Sequence, residues 1–526
     1  MKKKIFILTT IALIGLIIFE IIRVFNGSDG LNKINSENKE YMDSIIINSK
    51  KIEKKVLLKN NTRKIIYAKK YDMNLSLNTD KKIISGHSKI TIVNDSDDEI
   101  DYIILRNYSA SVFKGNKKGR SYLSNFKDKE NNNLNSIVED DETIIKVELF
   151  KSLKAKEEME LSFDFQSDIP KQKNRFGYYT FDNNILFQLS FCFPSLAIYE
   201  NGEWNKSPYI FDGAESNYTT VADYSVKIKV PKKYTVIATG IEKNDRNNNY
   251  NINGKNLREF AMVIGNNLTK KTTTYNDINI NNYFYNYKGN KKYINYSLDI
   301  MKESVELYSN LIGDYPYEEL DLVNVFMNSA MEYPGLIMLG YPDMSIKDID
   351  KYSQYEHILH HIPHEIAHQW FYGAIGNDPY NEPWLDEGFA EFFEEYIFPI
   401  SGLKVIEQIE NEKKDNYSTT IQSIADFKKL KNIFLEQTKH DKSINLSYDK
   451  YDKKNDEYSY YVYGASSMFL YELEQTMGEN KFFSMLHNYY VNYRFSEVKT
   501  KDFINFVKKY DNSQKIENIL NKYISL

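Results

Sequence analysis

Alternating apolar and polar residues dominate the chain from residue 63 to about residue 270. "YDMNLSLN" (71–78), "GHSKITIVN" (86–94), "EIDYIILRN" (99–107) and "DYSVKIKVP" (223–231) each follow a period of two and end in turn formers. "NDRNNNYNINGKN" (244–256) has the composition of a surface loop. This half is predicted to be an all-β domain. From about residue 271 the period lengthens. "YSLDIMKESVELYSNLIG" (296–313), the histidine-rich stretch 357–368, "EGFAEFFEEYIF" (387–398) and "YGASSMFLYELEQTMG" (463–478) read as helices, with "DLVNVFM" (321–327) as a short strand. The expected fold class is therefore multidomain α+β: an all-β domain over 63–270, then a mainly helical domain over 271–526.

The ends of the pattern change this picture in one place. Lys2, Lys3 and Lys4 precede an apolar run, "IFILTTIALIGLIIF", and residues 26–62 are polar and lysine-rich. Residues 1–25 are expected to be an uncleaved signal anchor, with a cleaved signal peptide as the alternative, and 26–62 a stalk. The leading lysines then stay in the cytoplasm and the catalytic part lies outside, either on a single-pass anchor in the cell membrane or secreted.

Charge and composition remove several function classes. The net charge is -5, which gives no electrostatic case for nucleic acid. The single cysteine, Cys192, excludes an intrachain disulfide and a cysteine-rich metal site. Any metal must be held by histidines and carboxylates.

Five of the eight histidines lie at 357, 360, 361, 364 and 368. On an ideal helix all five share one stripe, so periodicity does not choose among them. Chemistry favours the last pair. Only His364 and His368 have a glutamate, Glu365, directly after the first histidine, as a hydrolytic zinc needs for its base. Pro363 must start or kink the helix, so the upstream histidines are expected to be out of line. A third ligand is sought in "NEPWLDEGFAEFFEEY" (381–396). There Glu387 has apolar neighbours, while Glu394 and Glu395 read as a solvated helix face. The stretch 376–400 has seven carboxylates and no lysine or arginine, which favours a divalent metal and a cationic substrate group.

At these residues the chain resembles the M1 family of zinc aminopeptidases, the gluzincins. The family pattern is H-E-x-x-H, eighteen residues, then E; eighteen residues separate His368 from Glu387. The family's G-A-M-E-N is matched by Ser329-Ala330-Met331-Glu332-Tyr333, with Ser329 and Tyr333 departing from it. Its catalytic Y-x-x-G tyrosine is matched, in register with Gly464, by Tyr461. The resemblance implies a saddle-like β domain followed by a thermolysin-like peptidase domain. The large C-terminal helical domain of many members would not be present. It also implies one Zn2+ on His364, His368 and Glu387, Glu365 as the base acting on zinc-activated water, and Tyr461 as the oxyanion donor. Ala330, Met331 and Glu332 would bind the substrate, with Glu332 on its free amine. The implied activity removes the N-terminal residue from peptides. A zinc endopeptidase and an inactive surface-binding module of the same fold are the alternatives.

Overall fold

The computed structural model describes residues 64–113, 120–139, 142–210, 215–286, 291–327, 329–340, 357–397 and 424–525. The expected anchor and stalk lie outside them. Among the described residues no helix is long and apolar enough to cross a membrane.

The first half is β-rich, as its alternation requires. β1 (Ile65–Asn78) buries every second side chain along most of its length. It lies at the centre of a nine-stranded sheet. On one side it pairs antiparallel with β2 (Ile83–Asn94), which pairs with β3 (Glu158–Asp168). On the other it runs parallel to β4 (Ala222–Lys229), so the sheet is not a simple meander. β5 (Ile241–Asn244) and β6 (Asn249–Leu257) close that edge, so the surface loop expected over 244–256 is confined to the turn at 245–248 and the rest of that stretch is strand. Two four-stranded sheets complete this half, and one apolar core runs from Ile66 to Ile264.

A five-stranded sheet opens the second half, in the order β7 (Thr269–Tyr275), β8 (Ile278–Phe284), β9 (Glu319–Val325), β11 (Leu336–Gly340), β10 (Ala330–Tyr333). β8, β9 and β11 are parallel and β10 folds back antiparallel on β11. The sequence boundary at 270/271 thus falls inside β7. The helices follow: α1 (Lys291–Leu311), α2 (Ile362–Ala367), α3 (Trp384–Ile397), α4 (Ile424–Gln437), α5 (Ser466–Met477), α6 (Glu479–Tyr493), α7 (Thr500–Tyr510) and α8 (Gln514–Tyr523). Their apolar faces form a second core that extends to Ile524.

Two buried polar links tie α1 to the helices of the histidine region. The Tyr308 hydroxyl donates to the Phe393 carbonyl at 2.9 Å, with the Pro363 carbonyl 3.3 Å away. Trp370 Nε1 donates to the Gly313 carbonyl at 2.8 Å. Phe371, just past α2, stacks on Phe389 of α3 with ring centroids 4.2 Å apart. These contacts fix the angle between α2 and α3.

The two halves are joined by Arg258, only 1% exposed. Its Nη1 meets Glu497 Oε1 at 2.9 Å and donates to the Thr219 carbonyl, while Nε donates to the Tyr372 carbonyl. Gly376 lies against this guanidinium: a Cβ there would stand 2.1 Å from Arg258 Cζ. Glycine is required at 376 by close approach.

His87 and Cys192 take no part in the site described below. His87 is on exposed β2 surface, paired with Asp164 at 2.8 Å. Cys192 is fully buried, and burial pushes its thiol up to about 12.

Candidate metal and peptide site

A wide, π-type turn covers His357–His361, and α2 begins only at Ile362, with Pro363 in its first turn. Proline is tolerated there because the first-turn N–H groups lack helical partners. The proline marks the change from the π-type turn to α2 within a backbone already helical at His361, and His360 stays on the side of His364, since both meet Glu394.

His364 and His368 present their Nε2 atoms to each other at 3.2 Å. Glu387 Oε2 stands 3.1 Å from the first and 3.2 Å from the second. Three donor atoms at these mutual distances fit one tetrahedral zinc, since ligands about 2.05 Å from the metal are about 3.3 Å apart. The His₂Glu donor set is also one that catalytic zinc sites use. The residues present thus fit the ion that the sequence implies, and no lysine or arginine forms an ion pair with any of the three among the described residues.

The remaining ring nitrogens are tied down. His368 Nδ1 lies 3.2 Å from the Phe371 carbonyl, and His364 Nδ1 lies 3.2 Å from Glu394 Oε2. A proton on each Nδ1 leaves the Nε2 lone pairs for metal. Glu394 is therefore not on a solvated face. It is 8% exposed and also meets His360 Nδ1 at 2.6 Å. The carboxyl is held well below the usual carboxylate range: its bonds to His360 and His364 outweigh burial, which acts the other way. Glu395 pairs with Lys431. Helical spacing carries the signal for Glu394, which lies seven residues after Glu387 and so returns to the same face.

Glu365 is 6% exposed, and its Oε2 is buried without a hydrogen-bond partner. Burial, then the nearby Glu332 charge, pushes its carboxyl up to about 8, with His364 and His368 opposing. A dication beside it would act in the opposing direction. Glu332, on β10, is equally buried, and burial raises its pKa. On β10, Ala330 and Glu332 share one face, and Met331 and Tyr333 the other. Met331 receives Arg175 Nη1 on its sulfur at 3.7 Å.

Gln369, fully buried, connects α2 to this strand. Its Oε1 accepts from Gly335 N at 2.7 Å, and its Nε2 is 3.3 Å from the carbonyls of Glu332, Tyr333 and Glu365. Sequence reasoning missed it, because nothing local separates a buried positioning glutamine from a surface one.

Tyr461 is not brought to the site, which corrects the sequence assignment. Its hydroxyl donates to Asp441 and its ring stacks on Tyr451. Tyr463 is there instead. Its hydroxyl donates to Glu387 Oε1 at 2.6 Å and its ring is parallel to His364, centroids 6.0 Å apart. Residues two apart on a helical turn face opposite sides, so only one of the two can reach the metal ligands. The register error traces to Gly464. The residue that packs closely on α3 is Ser466: a Cβ on Gly388 would come within 2.5 Å of Ser466 Cβ. Counting three residues back from Ser466, rather than from Gly464, gives Tyr463.

Comparison with known proteins bears on the family and the fold. Residues 296–523 match the peptidase family M1 domain. The chain is 26% identical over 215 residues to Aminopeptidase 2 of Candida albicans, covering 39% of this chain and 21% of that protein. It is 24% identical over 218 residues to the mitochondrial Aminopeptidase 2 of Saccharomyces cerevisiae, covering 41% and 22%. The matched part thus spans about a fifth of the length of these relatives. The fold resembles an M1 zinc metallopeptidase from Deinococcus radiodurans, with a TM-score of 0.57 at 14% identity over 89% of this chain and 96% of that one. A mutant of that protein has been solved with a Tyr-Ser-Ala substrate (TM-score 0.57, 14% identity, 88% and 94% covered).

Proposed function

From the match of residues 296–523 to the peptidase family M1 domain and the likeness of the fold to a metallopeptidase, we propose that the protein is a zinc aminopeptidase. It removes the N-terminal residue from peptides. One observation carries the reading: the three donor atoms of His364, His368 and Glu387 converge beside a buried Glu365 oxygen that has no protein partner.

His364, His368 and Glu387 would hold a zinc ion, which when bound would supply Lewis-acid polarisation of a carbonyl and a water made nucleophilic near neutral pH. Glu365 is adjacent to a ligand in sequence, and its free Oε2 accepts the proton of the attacking water and later delivers it to the leaving amine. The Tyr463 hydroxyl, already at the edge of the ligand set, donates to the carbonyl oxygen as negative charge develops there. Such a donor lowers the barrier by about 3–4 kcal/mol. Glu332 accepts the free α-ammonium and so limits cleavage to the first peptide bond, with Ala330 on the same face of β10; Met331, on the other face against Arg175, supports the strand instead of lining the approach. An endopeptidase has no use for that anchor. Gln369 holds the Glu332 strand against the metal helix.

For localisation, the three lysines followed by an apolar run support an N-terminal signal anchor with the enzyme outside the cytoplasm.

Hydrolysis of a free peptide and its N-acetylated form, with chelator and after zinc is restored, tests the activity. Zinc-dependent cleavage of the free peptide alone is expected. Equal cleavage of both would make the protein an endopeptidase, and no cleavage with zinc bound would make it an inactive binding module.

A further inference from the structure

A second group of carboxylates lies away from the peptidase centre. Glu319 and Asp321 are two residues apart on β9 and so face the same way. Parallel pairing sets Asn279 and Asn281 of β8 beside them. Glu242 reaches the same point from β5, at the edge of the nine-stranded sheet, with its carboxylate accepting from the Ala238 N–H. Ligand oxygens of all three lie within 4.8 Å of one another.

Asp321 supplies the second observation. It is 1% exposed; Asn281 Nδ2 donates to its Oδ1 at 2.6 Å, while its Oδ2 is buried with no hydrogen-bond partner. A buried carboxylate oxygen without a donor is costly unless something positive meets it. Among the described residues no lysine or arginine forms an ion pair with these three carboxylates. Lys270 is the cation whose charge acts on Glu319 and Asp321, but its Nζ lies over the Tyr283 ring, 5.1 Å from the centroid.

We infer that Glu242, Glu319 and Asp321 form a binding site for a divalent hard cation, of which calcium fits best. The donors are all oxygens, without histidine or cysteine, which excludes a zinc-type preference. Oxygens 2.3–2.6 Å from a calcium ion span up to about 5 Å across it, in line with the observed spread. Glu242 and Glu319 are half-buried, so water can complete the coordination. Burial raises the pKa of each of the three carboxyls, as expected of a site that needs a counter-ion to stay ionised. The ion would clamp the β-rich half, through Glu242, to the sheet whose β10 carries Glu332. Its role is structural and does not depend on peptidase activity.

The test uses the full chain, loaded with zinc so that the peptidase centre does not compete. Calcium titration by calorimetry is expected to show one site, and thermal melting an upward shift in Tm with calcium. Terbium bound there should luminesce when tyrosine is excited, because Tyr283 is adjacent. Glu242→Gln with Asp321→Asn should abolish all three signals. Should that double variant fail to fold, Glu319→Gln, at the half-buried end, should weaken calcium binding about tenfold or more. An unmodified chain that shows neither a calcium-dependent shift nor a terbium signal would overturn the proposal and leave the three carboxyls neutralised by protons. Binding unchanged in a folded variant would overturn it as well.

Discussion

Tyr463 Oη lies 2.6 Å from Oε1 of Glu387, the carboxylate whose other oxygen is 3.1 Å from His364 Nε2 and 3.2 Å from His368 Nε2. One side chain therefore joins the candidate metal ligands to the tyrosine proposed to act on the substrate carbonyl. Tyr463→Phe removes the hydroxyl proposed to donate to the developing oxyanion. kcat is expected to fall by about 10²–10³-fold with zinc retained. Tyr461→Phe loses a hydrogen bond to the exposed Asp441 and should leave kcat near that of the unmodified enzyme. Steady-state kinetics on the two variants decide between them; a collapse in Tyr461→Phe alone would restore the sequence register.

Metal content should separate ligands from supporting residues. His364→Ala, His368→Ala and Glu387→Ala are expected to lose zinc and activity together, and His360→Ala to keep stoichiometric zinc. Glu394→Ala should weaken zinc binding by about 10–100-fold, because His364 loses the acceptor that fixes its ring. Competition with a graded series of chelators measures this directly.

Gln369→Leu probes how α2 is coupled to the strand that carries Glu332. It leaves the buried Gly335 N–H without its acceptor, at a cost of about 1–3 kcal/mol in stability. With Glu332 less well placed, KM for free peptides should rise more than kcat falls. A loss in Tm with unaltered KM would make Gln369 purely structural.

Gly376→Ala should be among the most damaging single-methyl additions in the chain, since the new Cβ meets the Arg258 guanidinium that pairs with Glu497. Displacing one partner of a buried ion pair costs about 3–5 kcal/mol. Thermal melting of this variant beside Arg258→Met gives the comparison; a Gly376→Ala protein that melts like the unmodified one would mean the guanidinium can shift freely.

The elements governed by short-range rules could be read before the fold was known. The period-two segments became strands, and the metal motif kept its register because Glu365 and the His364/His368 pair need only one helical turn. What failed needed tertiary information. Tyr461 and Tyr463 are alike in sequence, and the choice depends on Ser466, not Gly464, meeting Gly388 of α3. Glu394 looked solvent-facing because the composition of α3 does not show that His360 and His364 cover it. Asp321 read as one residue of an ordinary strand, and its partner Glu242 is distant in the chain.

The last pair of variants distinguishes two buried glutamates with different work. Glu365 has a free oxygen beside the ligand triangle, so Glu365→Gln should keep zinc and peptide binding while kcat falls by about 10²–10⁴-fold, the usual worth of a positioned acid–base group. Glu332 is the proposed partner of the ammonium. Its charge-assisted contact is worth about 1.5–3 kcal/mol, so Glu332→Ala should raise KM for free peptides by about 10–150-fold. Lost positioning should lower kcat as well. The ratio of rates on free and N-acetylated peptides is the readout that separates them. It should fall toward one in Glu332→Ala and stay high in Glu365→Gln at whatever rate remains. Full discrimination retained by Glu332→Ala would move the amine anchor to another carboxylate. Glu215 is the next to test, because it is buried beside Arg175 and its charge is felt by both Glu332 and Glu365's neighbour Glu387.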